Sequence, residues 1–396
     1  MPIVSIEKTG GNDYASIKAT VDKVIEQIGG LEDVIKPGYK VIIKPNLVAT
    51  PAERLSGGVT RWEVCLAICE AVKAVGGIPT IAESSAAGAD TEAVIQKCGY
   101  QDLRDQGIPV IDLKSLKAVC NIPVKDGEIT DHINTWEIIR DADAIITVPV
   151  MKTHDQTEIT LGMKNLKGTM TDVYKKQFHK MGLVGSVCDL VETLKPAIEI
   201  IDGTFGQQGL GPIFGETKEM NLIIGSKDLV ACETVTGLIM GYEPEEVMIT
   251  KNAARRGLGE MDINKITVLG AQIADVKSRF KRSCEVEIEG LPTSFNLIFD
   301  SNACTGCRNT VISSLMDMKA QNLFPYLENM NAIVGPCTKE QLPEGATAEN
   351  TVCIGVCTKK LADACGFRWV IGCPPGNADT VQGLLGDRLE YGVRYK

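Results

Sequence analysis

The chain has 396 residues, with 41 Lys and Arg against 51 Asp and Glu for a net charge of −10, and it is 44% hydrophobic and 23% charged. At roughly 150 residues per domain this length predicts two or three domains that bury their own cores without disulfides, and the balance is that of a globular chain. The acidic excess argues against a nucleic-acid binder; no apolar run approaches the roughly 18 residues of a membrane span, and the N-terminus MPIVSIEKTGG lacks the blocks of a signal peptide, so a cytoplasmic location without membrane insertion is expected.

Up to about residue 270, apolar runs of strand length alternate with segments of helical period, the pattern of an α/β domain with a largely parallel sheet. Strands are predicted at 40–43, 79–82, 144–148, 197–201, 221–224 and 265–269, and helices at 62–75 and 183–194. Residues 272–294 are charged and less periodic and predict one helix, one strand and a passage to a second domain. Beyond it, FNLIFDSNACTGC, NAIVGPC, NTVCIGVC and RWVIGCPP each read as a strand followed by a cysteine-bearing loop, and helical segments follow CTGC, GVC and GCPP. The expected organisation is a substrate-binding α/β domain over 1–275, a connection over 276–295, and a smaller α/β domain over 296–396.

The predicted strands of the first domain end in polar and cationic residues. Lys44 and Asn46 follow one strand and Glu83, Ser84 and Ser85 the next. Lys152, Thr153 and His154 follow a third and lead into LGMKNLKG with Lys164, Asn165 and Lys167; Asp202 follows a fourth. Parallel strands would bring these groups to one crevice, the usual ligand site of such a sheet. Lysines repeated there favour a small anionic ligand held by charge-assisted hydrogen bonds. Arg61, in SGGVTRWEV between a glycine pair and a helix, is a further candidate for the anion. We read Lys44, Asn46, Arg61, Asn165, Lys167 and Asp202 as substrate-binding residues, and His154, Lys152 and Lys164 as catalytic, with His154 the candidate acid or base. Neither a P-loop nor a well-placed dinucleotide fingerprint occurs.

The chain has fourteen cysteines, seven scattered between Cys65 and Cys284 and seven within 304–373. Buried free thiols account well for Cys98, Cys188 or Cys232 but poorly for CTGC together with GCPP. In a cytosolic chain such a cluster reads as metal or redox chemistry before disulfides. Structural zinc usually takes two close pairs, whereas this region has one CxxC and widely separated single cysteines; iron–sulfur clusters take four thiolates, and ferredoxin runs end in Cys-Pro, as Cys373-Pro374 does. On strand-end loops Cys304, Cys307, Cys357 and Cys373 would share one edge.

The order CTGC, GxC, GCPP, each after a strand, resembles the proximal-cluster domain of nickel–iron hydrogenase small subunits and a related quinone-reductase subunit. The resemblance, over about the last hundred residues, implies a flavodoxin-like fold and one four-iron four-sulfur (4Fe-4S) cluster on Cys304, Cys307, Cys357 and Cys373, with Cys337 of GPC as the alternative third ligand. The ordered strings KPN, GGVTRWEV, VPVMKTH, GMKNLKG, IDGTFGQQGLGPIFG and GSKDLVACE, over about 35–270, resemble a prokaryotic family catalogued as domain of unknown function 362. Its members commonly carry a following iron–sulfur segment, usually a closely spaced ferredoxin-like run, from which this spread arrangement departs. GGVTRWEV and AVKAVGG, within 57–77, are also similar to the N-terminal domain of nickel-dependent 2-hydroxyacid racemases.

These readings converge on an iron–sulfur enzyme, in its leading form an oxidoreductase with an electron-transfer protein as partner. Three alternatives stand beside it: a non-catalytic electron carrier or cluster or metallocofactor assembly protein, a non-redox iron–sulfur lyase or isomerase, and a distant relative of the racemases. The sequence specifies neither the substrate nor an oligomeric state.

Overall fold

A computed structural model of the chain describes residues 1–212 and 214–390. The larger sheet has ten strands, eight of them in the order Thr267–Gly270, Ile3–Lys8, Phe214–Ser226, Ile198–Leu210, Ala144–Val148, Lys40–Pro45, Ile78–Glu83, Val110–Asp112. The last five run parallel to one another. Ile198–Leu210 and Phe214–Ser226 form an antiparallel hairpin, and Val150–His154 adds a parallel partner to the far half of Ile198–Leu210, with Glu158–Thr160 folded back on it. This is the expected α/β class with a largely parallel sheet.

Strand residues alternate between two cores. Val41, Ile43, Ala144, Ile146 and Val148 pack with helices Tyr14–Gln27 and Trp62–Ala74, whereas Ile42 and Ile145 pack with helix Leu183–Leu194. Near-continuous apolar runs such as AIITV follow from burial on both faces. By the same period of two, Lys44 shares the face of Ile42 and points to the side that also carries helices Gly162–Asn165 and Asp172–Met181.

Residues 272–294 carry the expected helix but not the expected strand. A short helix, Ile273–Val276, and a 3-10 turn, Ser283–Glu285, are present, but no strand. Tertiary contacts hold this stretch instead: Phe280 is fully buried, its N–H donates to Met240 O, and Arg282 pairs with Glu246.

The second sheet comprises Asn296–Phe299, Asn331–Val334, Thr351–Ile354 and Arg368–Val370, all parallel and in chain order. One core holds helices Thr305–Ala320 and Asn377–Leu385, and a smaller one holds helix Lys359–Cys365. The expected second domain, 296–396, is described as far as residue 390; its last six residues lie outside the described residues. No helix among the described residues is long and apolar enough to cross a membrane.

Candidate functional site

A cavity of about 220 Å³ opens where the strands of the larger sheet end. It is lined by Lys44, Asn46, Lys152, His154, Lys164, Asn165 and Lys167, together with Glu83, Gln156, Lys175 and His179. Seven of the nine residues proposed for substrate or catalysis therefore share one cavity. Arg61 and Asp202 lie elsewhere. The Arg61 guanidinium is buried against Asn12 and Glu63, and Asp202 accepts from the backbone N of Arg61 at 2.8 Å and from Thr204, so both pin loops beneath the site.

Lys44 donates to Glu83 at 2.7 Å and to Asn165 Oδ1 at 3.2 Å, with both members of the ion pair buried. Glu83 also accepts from the backbone N of Leu47 and Ser84, which satisfies both of its oxygens. The close approach of Gly168 permits this: a Cβ there would meet the Glu83 carboxylate and the Lys44 side chain. Lys152, with no accessible surface, donates to Asn46 Oδ1 at 3.0 Å and Gly58 O at 2.9 Å.

His154 stands between an acid and an amine. Its Nε2 lies 2.6 Å from Lys164 Nζ, and its Nδ1 lies 2.8 Å from Asp155 Oδ1 and 2.9 Å from the backbone N of Gln156. A second pair joins Lys167 Nζ to His179 Nε2 at 3.1 Å. Burial, then the neighbouring lysines, pulls these cations down: Lys152 to about 7 and His154 to about 4, with Lys167 and His179 also well below their ordinary values. Burial alone takes Lys164 down to about 8, against the opposing pull of Asp155.

Lys175 and His179 were not anticipated. They lie four residues apart on helix Asp172–Met181, so one helical face carries both over the sheet edge. Lys175 donates to Ser84 O, Ser84 Oγ and Ser85 O. The visible signal was the i, i+4 spacing in YKKQFHKM, in a segment flanked by the lysine-bearing GMKNLKG.

The cysteine-bearing sheet abuts this cavity. Cys373 N donates to His179 O at 3.1 Å and Leu183 N to Cys373 O at 3.2 Å, while Gln156 Nε2 donates to Pro375 O and Asn377 Nδ2 to Asp155. Thr305 Oγ1 hydrogen-bonds Glu158, whose carboxyl is pushed up to about 8 by burial and by Cys304. A smaller cavity of about 190 Å³ lies in this junction, between His154, Asp155 and His179 on one side and Ser313, Asp317 and Asn377 on the other.

The thiols of Cys304, Cys307, Cys357 and Cys373 lie close enough to interact electrostatically. Cys307 is pushed up by its hydrogen bond to Cys304, by burial, and by Cys304, Cys357 and Cys373; burial and the thiols of Cys304 and Cys357 push Cys373 up. Cys304 stands at the N-cap position of helix Thr305–Ala320, where the Cys307 thiol and the nearby backbone N–H groups hold it down at about 6. Cys337 is buried on the other side of the sheet end, near Asp300, Cys357 and Cys353, with its thiol on Val334 O.

Among the described residues, no three His, Cys, Asp or Glu side chains are placed to hold a single metal ion. A four-iron cluster places different demands, since its thiolates surround a cube and each binds a different iron. The residues present fit that group in one further respect. Gly355 has φ +97°, and a Cβ there would lie 3.0 Å from Cys307 Sγ and 3.8 Å from Cys357 Sγ, so the backbone keeps the space between these two thiols open.

Fold and site together define an α/β protein with a lysine-lined strand-end cavity joined to a cysteine-bearing sheet. Residues 41–236 match the family described as "Domain of unknown function (DUF362)". The thylakoid-associated protein sll1697 of Synechocystis sp. is 29% identical over 266 residues, covering 64% of this chain and 79% of that protein. The lactate racemase apoprotein from Thermoanaerobacterium thermosaccharolyticum aligns with a TM-score of 0.36 and 12% identity over 50% of each chain. This chain thus spans about half the length of that structure, a likeness too distant to carry an argument.

Proposed function

We propose that the protein is a cytoplasmic iron–sulfur oxidoreductase. Cys304, Cys307, Cys357 and Cys373 hold one 4Fe-4S cluster, and the lysine cavity holds a small anionic substrate. The observation that carries the proposal is the junction of the two sites: Cys373 is hydrogen-bonded through its backbone to His179, whose ring faces Lys167 in the cavity. A bound cluster would supply single-electron chemistry.

The chain's own residues supply binding and proton movement. Lys152, Lys164 and Lys167 hold the anion by charge-assisted hydrogen bonds, and Asn46 and Asn165 orient the lysines beside them. Lys164, with a pKa near 8, is matched to give or take a proton at working pH, and His154 is the group that exchanges it. Asp155 fixes the imidazole between the two cavities.

The test is electron paramagnetic resonance of anaerobically purified protein before and after reduction, with a parallel challenge by an iron chelator. The proposal expects a signal that cycles reversibly and a cluster that survives the chelator. Loss to the chelator with transfer to an apo-acceptor would assign the chain to cluster assembly instead.

A further inference from the structure

Five of the cavity's lysines are held by their surroundings in two different ways. Lys44 is neutralised by Glu83, and Lys175 lies 3.2 Å from Asp172 among three serine oxygens. Lys152, Lys164 and Lys167 make no ion pair among the described residues. Their partners are Asn46 and Gly58 for Lys152, His154 for Lys164, and His179 for Lys167, all uncharged groups with both imidazoles neutral. Among the described residues Glu83 is the one carboxylate lining the cavity, and its oxygens are already occupied. Asp155, which acts on Lys164 and Lys167 from behind, is engaged with His154 and Asn377.

We infer that the cavity is built for a small dianion, whose two negative charges are taken up by Lys152, Lys164 and Lys167. The inference rests on the anionic-substrate part of the proposed function and specifies it. A buried ammonium without a counter-ion is costly, and each charge on the ligand offsets one. A monoanion would leave two of the three uncompensated, whereas a dianion leaves one, which Lys167 can meet as a neutral amine on His179 because burial disfavours its charge. Burial already draws Lys152 and Lys164 toward neutrality, so an incoming dianion is what fixes their protons.

Size and chemistry narrow the ligand further. At about 220 Å³ the cavity is below the usual range of roughly 300–1,000 Å³ for drug-sized ligands, which points to a metabolite of few atoms rather than a nucleotide. Among the described residues no arginine lines it. Recognition is by point charges and not by planar forks, so one tetrahedral oxyanion or a pair of nearby carboxylates meets the same requirement.

The experiment is calorimetric titration of the full purified chain, at pH 7 and constant ionic strength, with sulfate, malonate and acetate. Sulfate, malonate or both should bind at least about tenfold more tightly than acetate. Sulfate alone would mark a single tetrahedral group, and malonate alone a dicarboxylate. Lys164→Met and Lys167→Met should each lose about tenfold in dianion affinity, while Lys360→Ala on the outer surface should not. The comparison among anions uses the unaltered protein and so stands whether or not a variant folds. Acetate binding as tightly as both dianions would overturn the dianion inference and leave the anionic-substrate reading in place; no binding by any of the three would overturn both.

Discussion

Lys164 Nζ lies 2.6 Å from His154 Nε2, and this contact can exist in two protonation states, one that pairs Nδ1 with Asp155 and one that pairs it with the Gln156 backbone. When Lys164 is an ammonium it donates to Nε2, and the ring proton sits on Nδ1, 2.8 Å from Asp155 Oδ1. When Lys164 is a neutral amine, Nε2–H donates to it, and Nδ1 accepts from the backbone N–H of Gln156 at 2.9 Å. A proton reaching the lysine is therefore coupled to the imidazole tautomer, and through it to Asp155 in the junction with the cysteine-bearing sheet.

That coupling sets the pH dependence of anion binding. Lys152 and Lys164, lowered to about 7 and about 8, lose their charge as pH rises through this range, and the anion binds the charged forms. Sulfate remains a dianion throughout and isolates the effect. Its affinity should fall by about tenfold or more between pH 6.5 and 9, with net proton uptake on binding seen as buffer-dependent heats. An affinity flat across this range would contradict the assignment of these lysines.

Gly168→Ala tests the packing of the buried pair beside the cavity. The added Cβ would collide with the Glu83 carboxylate and the Lys44 side chain, whereas a Cβ at Gly10 meets nothing within 4 Å. Gly168→Ala should cost about 1–3 kcal/mol of stability in urea unfolding, while Gly10→Ala stays within about 0.5 kcal/mol.

A pair of buried acids, Glu199 and Glu233, sets a pH dependence of stability rather than of binding. Glu199 Oε1 accepts from Gly162 N at 2.6 Å and Glu233 Oε1 from Met163 N at 2.7 Å, at the start of the short helix that carries Lys164. Burial raises both carboxyls, with Glu233 adding to the rise of Glu199, and takes Glu233 up to about 7. A folded pKa above the unfolded value of 4.5 means that this stabilisation is full below about pH 4.5 and is lost as pH rises through about 7. The loss attributable to Glu233 is on the order of 3 kcal/mol at most. Glu233→Gln should flatten the fall in melting temperature between pH 5 and 8; parallel curves for the two proteins would contradict the assignment.

The two competing cysteines separate by metal content. Cys357→Ala should lower bound iron by about half or more, because one of four thiolates is lost. Cys337→Ala, whose thiol is engaged with Val334 O on the other side of the sheet end, should leave iron and sulfide unchanged. The opposite pattern would exchange the two roles.

Elements dominated by apolar burial were legible from residues alone. The strand at 144–148 and the helix at 183–194 fall on the expected residues, because AIITV is buried throughout and the helix keeps its apolar spacing. The strand that begins near Ile198 was not legible beyond 201. Its far half, GTFGQQGL, has little strand propensity and is held by pairing with Phe214–Ser226. Most of the lysine cavity followed from one rule, that parallel strands deliver their ends to one edge. Arg61 was misplaced because an exposed cation and one buried against Asn12 and Glu63 read alike in sequence. Lys175 and His179 were missed because the helix that carries them reaches the site only through tertiary packing.

The most direct measurement is iron and acid-labile sulfide per chain in anaerobically purified protein. The account expects about four of each, as one 4Fe-4S cluster requires. Stoichiometric zinc without sulfide would contradict it.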